Sequence, residues 1–168
     1  IYIGCDLGGT NLRAAVINVE TGESLETISI PTQARKGPDA VMRLMGALIL
    51  DVIRAAKLTP QKVGGVGIGV PGVLDLEKGE TIFLPNLPGT WPKVPLAATI
   101  QRLTGLRTAL LNDVRAITYG EWSFGAGRGV DSMAVFAIGT GIGGGLVIDG
   151  KLHLGIGGTG GELGHMSI

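Results

Sequence analysis

The chain has 168 residues, equal counts of acidic and basic side chains, a formal net charge of zero and a pI near 6.9. That balance leaves no basic excess to hold nucleic acid or an anionic membrane. A lone cysteine, Cys5, excludes a disulfide framework and points to a reduced, cytoplasmic setting.

Apolar residues make up 45% of the chain, enough for a core, and the thirty glycines imply many tight turns or close backbone approaches. The longest uncharged run, residues 132–148, is Gly-rich and too short for a membrane helix. The chain opens inside an apolar strand pattern without Met, so it reads as a piece of a longer protein.

Residues 2–9, 12–19 and 24–31 read as three strands joined by short turns, with Cys5 as a small buried apolar residue. Residues 37–58 read as a helix. Val41, Leu44, Met45, Leu48, Val52, Ala55 and Ala56 share one face, while Arg43, Asp51, Arg54 and Lys57 avoid it. Residues 62–70 suit a buried strand, and Pro71-Gly72 turns the chain. Residues 75–95, rich in Pro and Gly, read as a long loop.

A helix over 96–103, a strand over 107–111 and a helix over 114–122 follow. Residues 132–138 and 144–148 then read as strands, joined by an Asp149-Gly150 hairpin turn to a short strand over 151–154. The order is βββαβαβ, a connecting helix, and βββ again. It implies an α/β protein with a mostly parallel sheet, an antiparallel hairpin on one side, and the start of a repeat.

Two hairpin tips carry chemistry. Asp6-Leu7-Gly8-Gly9-Thr10-Asn11 places an acid, two glycines and a hydroxyl between strands. Glycine backbone lets N–H groups converge on an anion, and Asp6 could hold Mg²⁺ through water. An ordinary Gly-rich hairpin is the competing reading. Gly139-Thr140-Gly141-Ile142-Gly143-Gly144 is a second tip of the same kind, so the pair suggests a phosphate clamp. The dinucleotide pattern GxGxxG occurs three times, beginning at Gly67, Gly139 and Gly155, which shows how weak it is in a Gly-rich chain; Pro71 interrupts the first match and a strand and hairpin follow the second, which argues against NAD binding.

Asn112-Asp113 follows a strand and precedes a helix. Asp113 is there either a general base or a helix N-cap. Glu162 and His165 stand three apart, so one helical turn would let both bond a polyol; His165 could also ligate a metal. Asn86 offers a donor and an acceptor to sugar hydroxyls. Trp91 reads as a loop anchor, and His153 as a structural residue in a strand.

The stretches "GCDLGGTNLRAAV", "GIGVPGVLD", "PNLPGTWPKVPL", "LLNDVRAITYGEWSFGAGRG", "AIGTGIGGGLVIDGKLHLG" and "GGTGGELGHM" together resemble the ROK family of sugar kinases and sugar-responsive repressors, most of all its bacterial glucokinases. The resemblance implies the actin-like, ribonuclease H-like ATPase fold, with two βββαβα-type lobes around a cleft. Residues 1–112 would form the first lobe and 113–168 the start of an incomplete second one.

The resemblance also implies ATP and Mg²⁺ as cofactors. Gly8, Gly9, Thr10, Asn11, Gly139, Thr140 and Gly141 would hold the phosphates, with Asp6 near Mg²⁺. Asn86, Asn112, Asp113, Glu162 and His165 would bind a hexose, most simply glucose, with Asp113 as general base. His165 would join a structural Zn²⁺ site whose other ligands, like the adenine site, would lie beyond Ile168. The chain alone would then have little kinase activity.

Partners would be a hexose and ATP, in a homodimer by resemblance, with no nucleic acid and no membrane. The alternatives are a repressor of the same family, with a winged helix ahead of Ile1, or a kinase for fructose, N-acetylmannosamine or allose. Two departures from the family's usual pattern fall near the sugar positions: Arg115, where Asn is common, and an extra Thr90 before Trp91.

Overall fold

The computed structural model describes residues 1–139 and 141–166. The first three strands, β1 (Tyr2–Leu7), β2 (Asn11–Ile17) and β3 (Ser24–Pro31), form an antiparallel meander. The helix α1 (Pro38–Ala55) follows, with Pro38 in its first turn and Gly37 at φ 83° before it. Strand β4 (Val66–Val70) then pairs parallel to β1.

A short antiparallel hairpin, β5 (Val73–Asp75) and β6 (Glu80–Phe83), precedes α2 (Leu96–Thr104). Strand β7 (Thr108–Asn112) pairs parallel to β4 and runs directly into α3 (Asp113–Phe124). The main sheet has the order β3-β2-β1-β4-β7, so its four pairings divide evenly between parallel and antiparallel rather than being mostly parallel. A second sheet has the order β10-β9-β8, from β8 (Met133–Ile138), β9 (Ile142–Ile148) and β10 (Lys151–Leu152). Its meander repeats the connectivity of β1–β3.

Alternation along the strands decides which sheet face is core. Ile3, Cys5 and Leu7, with Leu12, Ala14, Val16, Val66, Ile68 and Val70, point to one side and are buried with α1 and α2. Burial pushes the Cys5 thiol up to about 12, so it is an apolar core residue and no nucleophile. Gly4, Asp6, Arg13, Ala15, Gly67, Gly69 and Ala109 line the cleft on the opposite side.

Three expectations need correction. The buried face of α1 also takes in Met42, Gly46, Ile49 and Ile53, while Ala55 is exposed. A second neighbour explains this: α2 lies so close that a Cβ on Gly46 would stand 3.0 Å from Leu103. The 75–95 segment is not all loop, since β5 and β6 lie in and beside it. Their turn is fixed by Asp75, whose carboxylate accepts from the Lys78 N–H (3.0 Å) and Nζ (2.8 Å). His153 lies beyond the two-residue β10 and is exposed, so it has no core role. Trp91 is the expected anchor: it is buried, and its Nε1–H donates to the Pro88 carbonyl, 3.0 Å. Among the described residues no helix is long and apolar enough to cross a membrane.

The two sheets meet through α3, which packs on the glycine row of β9. A Cβ on Gly143 would come within 2.5 Å of Val114, and one on Gly145 within 2.0 Å of the Thr118 hydroxyl. Thr118 is fully buried and donates to the Val114 carbonyl, so it cannot swing aside. Gly145→Ala should therefore cost about 1–3 kcal/mol in urea unfolding, and less in a Thr118→Ala background. An unchanged midpoint would mean that α3 does not rest on this row.

Candidate functional site

Strands β1, β4 and β7 run parallel, so their C-terminal ends share one edge of the sheet, where α/β proteins gather their ligands. Asp6 stands near that end of β1, and the tip beyond it closes tightly. The Gly8 N–H donates to the Asn11 carbonyl, 3.0 Å, and a Cβ on Gly8 would meet that same oxygen at 2.7 Å. A Cβ on Gly9 would meet the Asn86 carbonyl at 2.9 Å. The tip and the Trp91-anchored loop therefore touch, and Gly9 lies beside Asn86. Thr10 and Asn11 are exposed there.

At the end of β7 the structure separates two adjacent residues. Asn112 caps α3: its Oδ1 accepts from the N–H groups of Val114 (3.1 Å) and Arg115 (3.3 Å). Its Nδ2 donates to the Gly72 carbonyl, 3.1 Å, which fixes the Pro71-Gly72 turn against β7. Asp113 is thus not the cap, as one reading of the sequence had it. It is the first helical residue, and its Oδ1 accepts from the Val114 N–H, 2.9 Å.

A cleft of about 500 Å³ brings together Asn86, Asn112, Asp113 and Glu162 with Gly139 and Gly141. A Cβ on Gly139 or Gly141 would meet nothing within 4 Å, and the Gly139 N–H donates to the Gly141 carbonyl, 2.9 Å. Thr140 lies outside the described residues. His165 is mostly exposed, with Nε2 4.0 Å from the Glu162 carboxylate across one 3-10 turn, Leu163–His165.

On the other side Asp113 faces Asp6 across a second cleft. Burial raises the Asp6 pKa above its ordinary value, and the neighbouring Asp113 charge raises it further. Arg13, paired with Asp6 across β1 and β2, opposes both effects. Two carboxylates facing one cleft form a donor set that suits hydrated Mg²⁺, which keeps most of its water ligands. Among the described residues no three His, Cys, Asp or Glu side chains converge around His165; the other ligands expected of a zinc site would lie beyond Ile168.

Two residues escaped the reading of the sequence as site members. Arg13 is found by counting outward from the Gly8–Thr10 tip, which pairs it with Asp6. Arg115 stood out only as a departure in "LLNDVRA". It is buried, with 2% of its side chain exposed. Its Nε–H donates to the Gly160 carbonyl (2.8 Å), and its second guanidinium nitrogen pairs with the Glu162 carboxylate (2.9 Å).

A Streptomyces griseus ROK glucokinase, solved with glucose and AMPPNP, superposes on the chain with a TM-score of 0.86 at 32% identity, over 99% of this chain and 50% of its own. The molecule accordingly has the actin-like, ribonuclease H-like ATPase fold. The ROK family pattern matches residues 2–168, and the chain belongs to the ROK family. It is 40% identical to a Thermotoga maritima glucokinase over 166 residues, 99% of this chain and 50% of that protein. A Caldicellulosiruptor bescii xylose repressor is 33% identical over 99% of this chain and 41% of its own length. The chain spans about half the length of the curated relatives it matches.

The sign of the Asp6 shift sets a pH dependence. A carboxyl whose folded pKa is raised stabilises the fold below its unfolded pKa and loses that contribution as pH rises through the folded value. Asp6→Asn should therefore stabilise the protein at neutral pH and have little effect below the carboxylate range. Thermal melts at the two pH values check this; equal shifts at both would remove the ionisation argument.

Proposed function

We propose that this chain is the sugar-binding and phosphate-binding part of an ATP-dependent hexose kinase, with glucose as its first candidate substrate. The observation that carries the reading is the position of Asp113. It follows β7 directly, as the first residue of α3, in a cleft that also takes in the side chains of Asn86, Asn112 and Glu162 and the backbone of Gly139 and Gly141.

In this reading residues 1–112 form the first lobe, and 113–168 begin the second. Asn86, Asn112, Glu162 and His165 orient the sugar. Asn112 spends its oxygen on the helix cap and one Nδ2 hydrogen on the Gly72 carbonyl, which leaves the second Nδ2 hydrogen for a sugar oxygen. Asp113 accepts the proton of the attacking hydroxyl as that oxygen moves onto the γ-phosphate. Its Oδ1 accepts from the Val114 N–H, which leaves Oδ2 for that task. Gly8, Gly9, Thr10 and Asn11 approach the phosphates from one side, Gly139, Thr140 and Gly141 from the other. Mg²⁺, when bound, neutralises phosphate charge, and Asp6 holds its water shell. Most of the rate gain then comes from aligning two substrates across the cleft.

The relationship to the xylose repressor supports a second reading, in which the cleft binds sugar as a signal and turnover is absent. Sugar-dependent ADP release by the full-length protein separates the two. We expect turnover with glucose and Mg-ATP, falling about 10²- to 10⁴-fold in Asp113→Asn while glucose still binds. Sugar binding with no turnover across a hexose panel would favour the repressor.

A further inference from the structure

Glu162 sits in a poor place for a precise ligand. The backbone around it is glycine, with Gly157, Gly158 and Gly161 all at positive φ. Its segment has only two 3-10 turns, Ile156–Gly158 and Leu163–His165. The Glu162 side chain is itself about half exposed, at 49%. A glutamate so placed samples many rotamers, and a carboxylate that wanders does not discriminate between hydroxyl positions.

Arg115 removes that freedom from 47 residues away. It projects from α3, the most firmly seated helix of the site. Its backbone N–H joins the Asn112 cap, and its side chain is buried. The guanidinium bonds two points of the glycine segment at once: the Gly160 carbonyl and one Glu162 oxygen, Oε1. Gly160 cannot retreat, because it packs on Gly155 so closely that a Cβ would stand 2.7 Å from the Gly155 nitrogen. The other oxygen, Oε2, is the one nearest His165, at 4.0 Å.

We infer that Arg115 is a positioning residue that holds Glu162 in one orientation and so sets which hexose epimers the cleft accepts; this rests on the sugar-kinase reading above. The held carboxylate accepts hydrogen bonds and donates none, so it demands a sugar hydroxyl that points a donor at Oε2. The neighbouring imidazole suits the adjacent hydroxyl, which selects a vicinal diol of one relative configuration. An epimer that turns either hydroxyl away leaves the carboxylate short of a donor, and such mismatches discriminate strongly. Lysine could not substitute, since one ammonium lacks the planar fork that spans both acceptors.

The test uses the full-length protein with Arg115→Met, Arg115→Lys, Glu162→Gln and the double variant Arg115→Met/Glu162→Gln. Turnover is measured with glucose, mannose, galactose and N-acetylmannosamine, and folding is followed by circular dichroism. The KM for the preferred sugar should rise about 10- to 100-fold in both Arg115 variants, with KM for ATP within about twofold. The preference between epimers should shrink, and the double variant should be no worse than Glu162→Gln. A folded Arg115→Lys protein with wild-type sugar KM and epimer preference would overturn the inference. Should Arg115→Met fail to fold, Arg115→Lys decides alone. A wild-type protein that phosphorylates no sugar would overturn the kinase reading and this inference with it, whereas an active wild type with unmoved variants overturns only the inference.

Discussion

The junction between β7 and α3 has no loop: Asn112 is the last strand residue and Asp113 the first helical one. A helix that begins so abruptly has unpaired N–H groups at its start, and they need an acceptor from a side chain already fixed in the sheet. Asn112 supplies it, while its amide holds the turn after β4 through the Gly72 carbonyl. The cap therefore binds the ends of two parallel strands and one helix into a single unit. Asp113, Arg115, Val114 and Thr118 take their positions from it. They are respectively the carboxylate in the cleft, the clamp on Glu162, and two side chains seated on the β9 glycines.

The glycines divide into groups with different physical reasons. Gly143 and Gly145 are packing residues, because α3 fills the space a side chain would need. Gly8 and Gly9 close the first tip and let the Asn86 loop approach it. Gly139 and Gly141 close the second tip, where the Gly139 N–H donates to the Gly141 carbonyl, 2.9 Å, and a Cβ on either would meet nothing within 4 Å. Both line the cleft that also holds Asp113 and Glu162. A repeated Gly-rich motif in sequence thus mixes scaffold and site, and spacing alone cannot sort them.

Much of the architecture was legible because strong periodicity makes it so. The alternation in β1 and β2, the helical stripe of α1 and the Asp149-Gly150 turn each report local geometry through side-chain chemistry. What escaped depended on neighbours distant in sequence. The face of α1 carrying Met42 and Ile49 is buried by α2, which nothing in α1 encodes. The β5–β6 hairpin has strands too short for alternation to register. The cap fell on Asn112 rather than Asp113 because the strand runs one residue further than its apolar run. Asp6 and Glu162 were visible as acids beside glycines, Asn86 as a polar residue in the Pro-rich loop, and Asp113 as an acid where a strand gives way to a helix. Arg115 was visible only as an oddity, since its partners lie 45 and 47 residues away.

Asp6 and Asp113 sharpen the contrast between fold and site. A sheet with no ligand to hold would gain nothing from two acids facing one cleft. Burial and mutual repulsion both disfavour the ionised Asp6, and Arg13 only partly offsets them. Both acids stand on the face of the sheet opposite the close-packed apolar core. Such an arrangement becomes favourable once a divalent cation with its water shell stands near the pair, because the repulsion that strains the free protein then becomes attraction for the ion. The electrostatic cost carried by β1 falls on the half of the sheet that the hydrophobic core does not need.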